Sequence, residues 1–330
     1  MASYSQEFLR AVVDQFNIPS ISSLYNDIVP FGNGHINHTF MVSYNSPDVI
    51  GKAERKLLQM INTQIFKDVD GLTSNIKHVC DHLNSKGITT IDMISLKSSA
   101  SRYIYHELTS ESYWRMFEFV PNSRSVGDVP SIEDAYQAAW QFGRFQYHLQ
   151  DMPVDRLTDT IPNFHNTRLR YKELLHAIEN DRIQRVATYQ LQETLIPYVT
   201  SREDRLTDAL WQLHTHHNVP IRIVHNDTKL NNVLLHVTTG EGICVVDLDT
   251  VMPGLSLYDF GDMIRTAANT CPEDHADTSE VDINLSVFEA VVRGYLASGM
   301  LPNHDSRHGL LPIEMDHLVT AAMVRTGGGG

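Results

Sequence analysis

Over the first 120 residues, apolar and polar positions change in short runs rather than in long helical stretches. Three such runs, SSLYNDIVPF, HTFMVSY and KLLQMI, fall within residues 21–66 and are split by Gly and Asn, which predicts three strands of a small antiparallel sheet. Ahead of them, MASYSQEFLRAVVDQF has the spacing of an amphipathic helix with a polar face. From Val69 to Lys86 the apolar residues Leu72, Ile76, Val79, Cys80 and Leu83 recur at helical spacing, and Gly87 follows as a stop. One helix is therefore expected to pack on the sheet.

A change of pattern follows in TSESYWRMFEFVPNSRSVGD, where a β-rich aromatic run ends in Pro, Asn, Ser and Gly, the composition of an exposed connector. The boundary between two lobes is placed here, giving 1–120, 121–325 and a glycine-rich tail at 326–330. From Ile132 to Gln150 the spacing is helical, and it stays largely helical to Pro220. That run is broken by IRIVHNDTKLNNVLLHVTTGEGICVVDLDT, in which strands flank a polar loop and TTGEG closes a hairpin. YDFGDMIRTAAN and the stretch from Val287 to Leu296 return to helical spacing. The expected class is α+β, with a small antiparallel-sheet N-terminal lobe and a mainly helical C-terminal lobe.

Charge narrows the partners. The 330 residues carry 26 basic and 40 acidic side chains, a net charge of −14 with histidine neutral, and that field repels nucleic acid and anionic membrane surfaces. An anionic nucleotide would need backbone amides, a metal ion and local cations to overcome the same field. Cys80, Cys244 and Cys271 are odd in number and widely spaced, which suggests neither a disulfide framework nor a zinc site and fits a reducing compartment. No signal-like or membrane-spanning apolar run is evident, so the expected location is the cytoplasm.

The polar loop carries the candidate chemistry. In HNDTKLNN, His225 and Asp227 are followed by Asn232, and one hairpin later the strand CVV ends at Asp247. Phosphoryl transfer needs a carboxylate to orient the attacking hydroxyl and take its proton, and hard oxygen ligands that hold Mg2+ against the phosphates of ATP. Asp227 suits the first task, and Asn232 and Asp247 suit the second. A hairpin over 233–248 would make those two ligands neighbours. His225 is expected to be structural, hydrogen-bonding the loop. A turn made of these same residues, without a site, is the competing reading for any one of them alone.

With these residues in view, HNDTKLNN, VVDLDTVMPG and YDFGDMIR resemble the catalytic core of the aminoglycoside phosphotransferase and choline kinase superfamily, a protein-kinase-like group. PFGNGHINHTF, LLQMINTQIF and TIPNFHNT extend the likeness in order from Ile28 to Arg265, and it is nearest to bacterial N-acetylhexosamine 1-kinases. The resemblance implies a two-lobed fold with ATP in the cleft, and phosphorylation of the anomeric hydroxyl of N-acetylglucosamine or N-acetylgalactosamine. Asp227 would be the catalytic base, Asn232 and Asp247 would bind the metal, and His35 and Arg325 would contact the sugar.

Asp249, Asp259, Asp262 and Arg265 stand as supporting candidates, with helix capping as the plain alternative for such aspartates. Gly32 and Gly34 would let the backbone approach phosphates, or would simply form a hairpin turn. Where kinase-like folds place a lysine on the phosphates, the third strand offers Gln59, with Lys56 three residues earlier. In MFEFVPN the backbone groups of Glu118 and Val120 would read adenine, while Phe117 and Phe119 are expected in the core. The relatives continue for several helices past the arginine matching Arg325, whereas this chain stops at MVRTGGGG. An ATP-binding protein without turnover is therefore one alternative, and a kinase of an amino alcohol or aminoglycoside is the other. The sequence is silent on oligomeric state.

Overall fold

The computed structural model describes residues 4–18, 25–32, 36–45, 53–127, 130–193, 195–201, 203, 209–271, 275, 277, 279–300, 310 and 314–315. Helix α1 (Gln6–Val13) starts where the Ser5 hydroxyl accepts the Phe8 N–H at 3.1 Å, and it buries Leu9, Val12 and Val13. It covers one face of a five-stranded antiparallel sheet made of β1 (Tyr25–Pro30), β2 (His38–Asn45), β3 (Ala53–Ile61), β4 (Tyr105–Glu107) and β5 (Ser112–Glu118). Their spatial order is β1-β2-β3-β5-β4.

Strand alternation sorts the residues of this sheet. Phe40, Val42, Tyr44, Leu58, Trp114 and Met116 pack on α1 in one cluster. The intervening positions face the other way, and the registers Thr39↔Gln59 and Gln59↔Arg115 set these three polar residues side by side across β2, β3 and β5. Below that face lies α2 (Val69–Ser85), begun by Asp68, whose carboxylate accepts the Gly71 N–H at 2.8 Å, and followed by Gly87 at φ +72°. The three expected strands, the helix and its glycine stop all form.

The aromatic strand β5 leads into a connector that does not stay a bare loop. Its end forms β6 (Ser123–Ser125), which pairs with β8 (Val233–His236), and β8 pairs with β9 (Gly242–Val245). Arg124 reaches Asp134 with two hydrogen bonds of 3.0 and 2.7 Å, tying β6 to the start of α3 (Ile132–Leu149). Then come α4 (Thr167–Asn180), α5 (Arg185–Thr188), α6 (Leu195–Thr200) and α7 (Ala209–His217). Strand β7 (Arg222–Val224) pairs with β10 (Met252–Gly254), and α8 (Ser256–Ala267) and α9 (Leu285–Tyr295) follow.

Helix α3 is the axis of this second region. It packs so closely on α9 that a Cβ at Gly294 would stand 2.2 Å from the Tyr136 carbonyl oxygen, so only glycine fits there. One apolar core runs from Ile61, Phe66 and the buried face of α2 through Phe142 and Phe145 of α3 to Phe260 and Met263 of α8. At roughly 1.5–3 kcal/mol for each fully buried large side chain, this core fixes the sheet relative to the helices. The architecture is α+β, an antiparallel-sheet N-terminal lobe over a mainly helical C-terminal region. Among the described residues no helix is long and apolar enough to cross a membrane.

Candidate active site

The segment from His225 to Asn232 connects β7 to β8, and α8 holds it from below. The Asp259 carboxylate, wholly buried in the first turns of α8, accepts the N–H groups of His225 at 2.8 Å and Asn226 at 2.7 Å, and the Gln146 amide at 2.6 Å. Burial pushes its carboxyl above the ordinary value, although these donors work against the shift. Asp262 accepts the Thr228 N–H at 3.0 Å and is paired with Arg265 at 3.0 Å. Neither aspartate caps its own helix, whose N-cap is Leu255. The capping reading is replaced by one in which both carboxylates position the loop.

These contacts hold Asn226 in the left-handed region at φ +66°, a conformation asparagine tolerates better than most residues. Its side-chain amide donates to the Thr250 carbonyl at 3.0 Å, and the His165 ring donates to its backbone carbonyl at 3.0 Å. His225 is fully buried. Its Nε2 donates to the Val246 carbonyl at 3.0 Å, so its Nδ1 is free to accept the Asp227 N–H at 3.3 Å.

Asp227 follows with its side chain 29% exposed, Lys229 Nζ 3.7 Å from Oδ1, and the Asn232 amide donating at 3.2 Å to Oδ2 and 2.9 Å to the backbone carbonyl. The predicted hairpin is present, and Val246 N–H donates to the Asn232 carbonyl at 2.9 Å. The next residue, Asp247, is exposed, at φ +58°. Protein atoms crowded around its carboxyl, then the charges of Asp249 and Asp227, push it up to about 6. Because the nitrogen of the Asn232 amide is spent on Asp227, its oxygen is the atom offered outward.

Asp249 lies in the turn after Asp247 and is buried. Its carboxylate accepts Arg115 at 2.7 Å and the Asn37 amide at 2.6 Å, while the Thr160 hydroxyl donates to its backbone carbonyl at 2.9 Å. Asn75 of α2 fastens the same turn by donating to the Val251 carbonyl at 3.1 Å. Above it, the Gln59 oxygen accepts two bonds from Arg115, at 2.9 and 2.6 Å, and the Gln59 nitrogen donates to the Thr39 hydroxyl at 2.9 Å. Lys56 points to the opposite face of β3, where it pairs with Glu118.

Gly32 has φ +77° with open space where a Cβ would stand. Gly34, His35 and Arg325 lie outside the described residues. In the connector, Glu118 N–H donates to the Asp92 carbonyl at 2.9 Å and the Val120 carbonyl accepts the Ser123 hydroxyl at 2.7 Å. Phe117 is buried in the main core, whereas Phe119 is only half-buried, set against Phe31 with 6.2 Å between ring centroids and under the Arg55 guanidinium.

Sequence reasoning missed Arg115, Asn37, His165 and Lys229. A usable signal existed for Arg115. Strand alternation places it on the face of Tyr113 and Phe117, opposite Gln59, an inward position where a lone arginine needs a partner.

Three carboxylates, an outward amide oxygen and a backbone loop fixed by buried aspartates thus converge where sheet and helices meet. A carboxylate can take the proton of a hydroxyl, and hard oxygens at adjacent hairpin ends can share a cation with phosphate. Among the described residues no group of three His, Cys, Asp or Glu side chains is placed to hold a metal by itself. A loop of this kind at the junction of a small antiparallel sheet and a helical region suits phosphoryl transfer.

The chain belongs to the phosphotransferase enzyme family, whose profile matches residues 27–296. Similar folds occur in an amicoumacin kinase in complex with AMP-PNP, Ca2+ and Ami, at 14% identity and TM-score 0.63 over 98% of this chain and 84% of that one. A microcompartment-associated aminopropanol kinase has 13% identity and TM-score 0.59 over 97% and 86%. Choline kinase from Cryptosporidium parvum Iowa II has 14% identity and TM-score 0.55 over 98% and 86%.

Proposed function

We propose that this chain transfers the γ-phosphoryl group of ATP to the anomeric hydroxyl of an N-acetylhexosamine, with Asp227 as the catalytic carboxylate. The observation that carries the reading is the partly exposed Asp227 side chain, held by the Asn232 amide, with Asp247 close enough for its charge to be felt. Asp227 would orient the acceptor hydroxyl and take its proton as the phosphoryl group leaves in line. The mutual repulsion of Asp227, Asp247 and Asp249 fits a divalent cation, magnesium in this reading, which Asn232 and Asp247 would hold. When bound, it supplies charge neutralisation for the phosphates.

The nucleotide reading follows from the backbone groups already engaged. A strand residue points its N–H and C=O to the same side, and Glu118 N–H is directed at Asp92, away from β3. That leaves Glu118 C=O and Val120 N–H as the pair offered to adenine, with Gly32 letting the β1–β2 turn come close to phosphates. His35 and Arg325 remain the proposed sugar contacts.

The choice of acetylated sugar is supported by the sequence likeness of GHIN, HNDTKLNN and DLDTVMPG. The concentration of carboxylates in the site favours a cationic amino alcohol as the second acceptor class. ADP release with ATP and magnesium, measured over N-acetylglucosamine, N-acetylgalactosamine, glucose, choline and an aminoglycoside, separates the two once phosphorus NMR locates the new phosphate. Phosphate at C1 of an acetylated sugar supports the reading. Phosphate on choline or the aminoglycoside overturns the substrate and keeps the chemistry.

A further inference from the structure

Arg115 is 1% exposed, and its charge has been carried into the interior of the N-terminal sheet. Such a burial is costly unless the guanidinium is paired, and the pairing here joins two parts of the chain. On one side the fork grips the Gln59 oxygen through Nε at 2.9 Å and Nη2 at 2.6 Å. On the other, the same Nη2 donates to Asp249 Oδ2 at 2.7 Å, 134 residues away, and stands 2.6 Å from Oδ1. Asn37 adds a second donor to Asp249 at 2.6 Å, and its own oxygen accepts Asn62 N–H at 3.0 Å. The guanidinium also lies over the Phe117 ring, 5.1 Å from its centroid.

Two consequences follow from this geometry. First, Gln59 is largely spent: its oxygen holds Arg115, and its nitrogen donates to Thr39 with at most one amide hydrogen left over. Second, a phosphate cannot meet a cation sealed to 1% exposure without displacing the Asp249 turn or Gln59 that covers it. Arg115 therefore acts through Asp249, two residues beyond Asp247 and within the same turn. Arg115 Nη1 is buried without a hydrogen-bond partner, and Asp249 Oδ1 meets the guanidinium as an ion pair at 2.6 Å rather than through a hydrogen bond.

We propose that Arg115 is a positioning residue, the buried positive charge of this sheet, which locks the Asp247-bearing turn to that sheet through Asp249, with Gln59 as its clamp. The proposal rests on the reading of Asp247 as a cation-side carboxylate. Without Arg115, Asp249 becomes an unpaired buried anion beside Asp247 and Asp227, and the turn must shift to reach water.

The test compares ADP affinity with magnesium and with EDTA, by calorimetry, for the wild type, Arg115→Gln, Arg115→Lys and the double variant Arg115→Gln/Asp249→Asn. Arg115→Gln is expected to weaken magnesium-dependent binding at least tenfold while changing EDTA binding less than threefold. Arg115→Lys, which keeps the charge and loses the fork, should fall between. The double variant removes both buried charges and should melt closer to the wild type than Arg115→Gln does, yet still show the tenfold loss, so it carries the test if the single variant does not fold. Magnesium-dependent affinity within twofold of the wild type in either neutral variant, or an equal loss with EDTA, overturns the proposal. A wild type whose ADP affinity ignores magnesium overturns the metal reading itself, and this inference with it.

Discussion

Asn232 gives its side-chain nitrogen to Asp227 twice, to the backbone carbonyl at 2.9 Å and to the carboxylate at 3.2 Å. One residue thereby orients the proposed base and turns its own amide oxygen toward the proposed cation. Asn232→Ala removes both effects and is expected to lower kcat on the order of a hundredfold or more. Asn232→Asp should be worse despite its similar shape, because a fourth carboxylate would repel Asp227. Steady-state kinetics of the two variants, at saturating ATP, check the order.

Asp247 ties the site to pH. Its carboxyl is raised to about 6 from the ordinary 3.8, so between those values folding without metal takes up a proton there. The stabilising contribution of that proton is present below pH 4 and lost as pH rises through 6. In EDTA, Asp247→Asn should therefore melt above the wild type at pH 7.5, by no more than about 1–2 °C because solvent screens this exposed side chain, with the difference fading as pH falls toward 4. Asparagine also tolerates φ +58°, so the comparison is not dominated by backbone strain. Equal melting curves at pH 7.5 would contradict the raised carboxyl of Asp247.

Asp259 carries the loop on its two oxygens. Asp259→Ala orphans the buried N–H groups of His225 and Asn226 and should cost about 2–5 kcal/mol of stability together with most of the activity. Asp259→Asn keeps one acceptor and should lose less of both. Urea unfolding run beside turnover tests whether the two losses travel together.

Burial pushes the Cys80 and Cys244 thiols up to about 12, while Cys271 is half-buried four residues after the end of α8. At pH 8 a disulfide reagent should titrate a single thiol quickly in the folded chain and three after denaturation. Since Cys244 lies in β9, just ahead of Asp247, its rapid labelling would mean that the hairpin opens readily.

The sequence made much of this legible where a local pattern carries the information. The three strands, the glycine after α2, the helix that begins at Ile132 and the hairpin after Asn232 follow from periodicity and turn chemistry. The polar loop was recognisable because Asp, Asn and Thr crowd a short stretch between buried strands. What could not be read were partnerships across distance. Asp259 looks like any aspartate in the first turns of a helix until the loop 34 residues upstream is seen to hang from it. Alternation could have marked Arg115 as inward, but not its partners, because its carboxylate is 134 residues away and the register with Gln59 is a property of the folded sheet.

The most direct measurement pairs turnover with nucleotide affinity in Asp227→Asn, a change that keeps the shape and removes the proton acceptor. With ATP, magnesium and the best acceptor of the wild type, kcat should fall by a factor on the order of a thousand or more, while the affinity for magnesium ADP stays within about threefold. A variant that retains wild-type turnover would remove Asp227 from the chemistry and contradict the central claim.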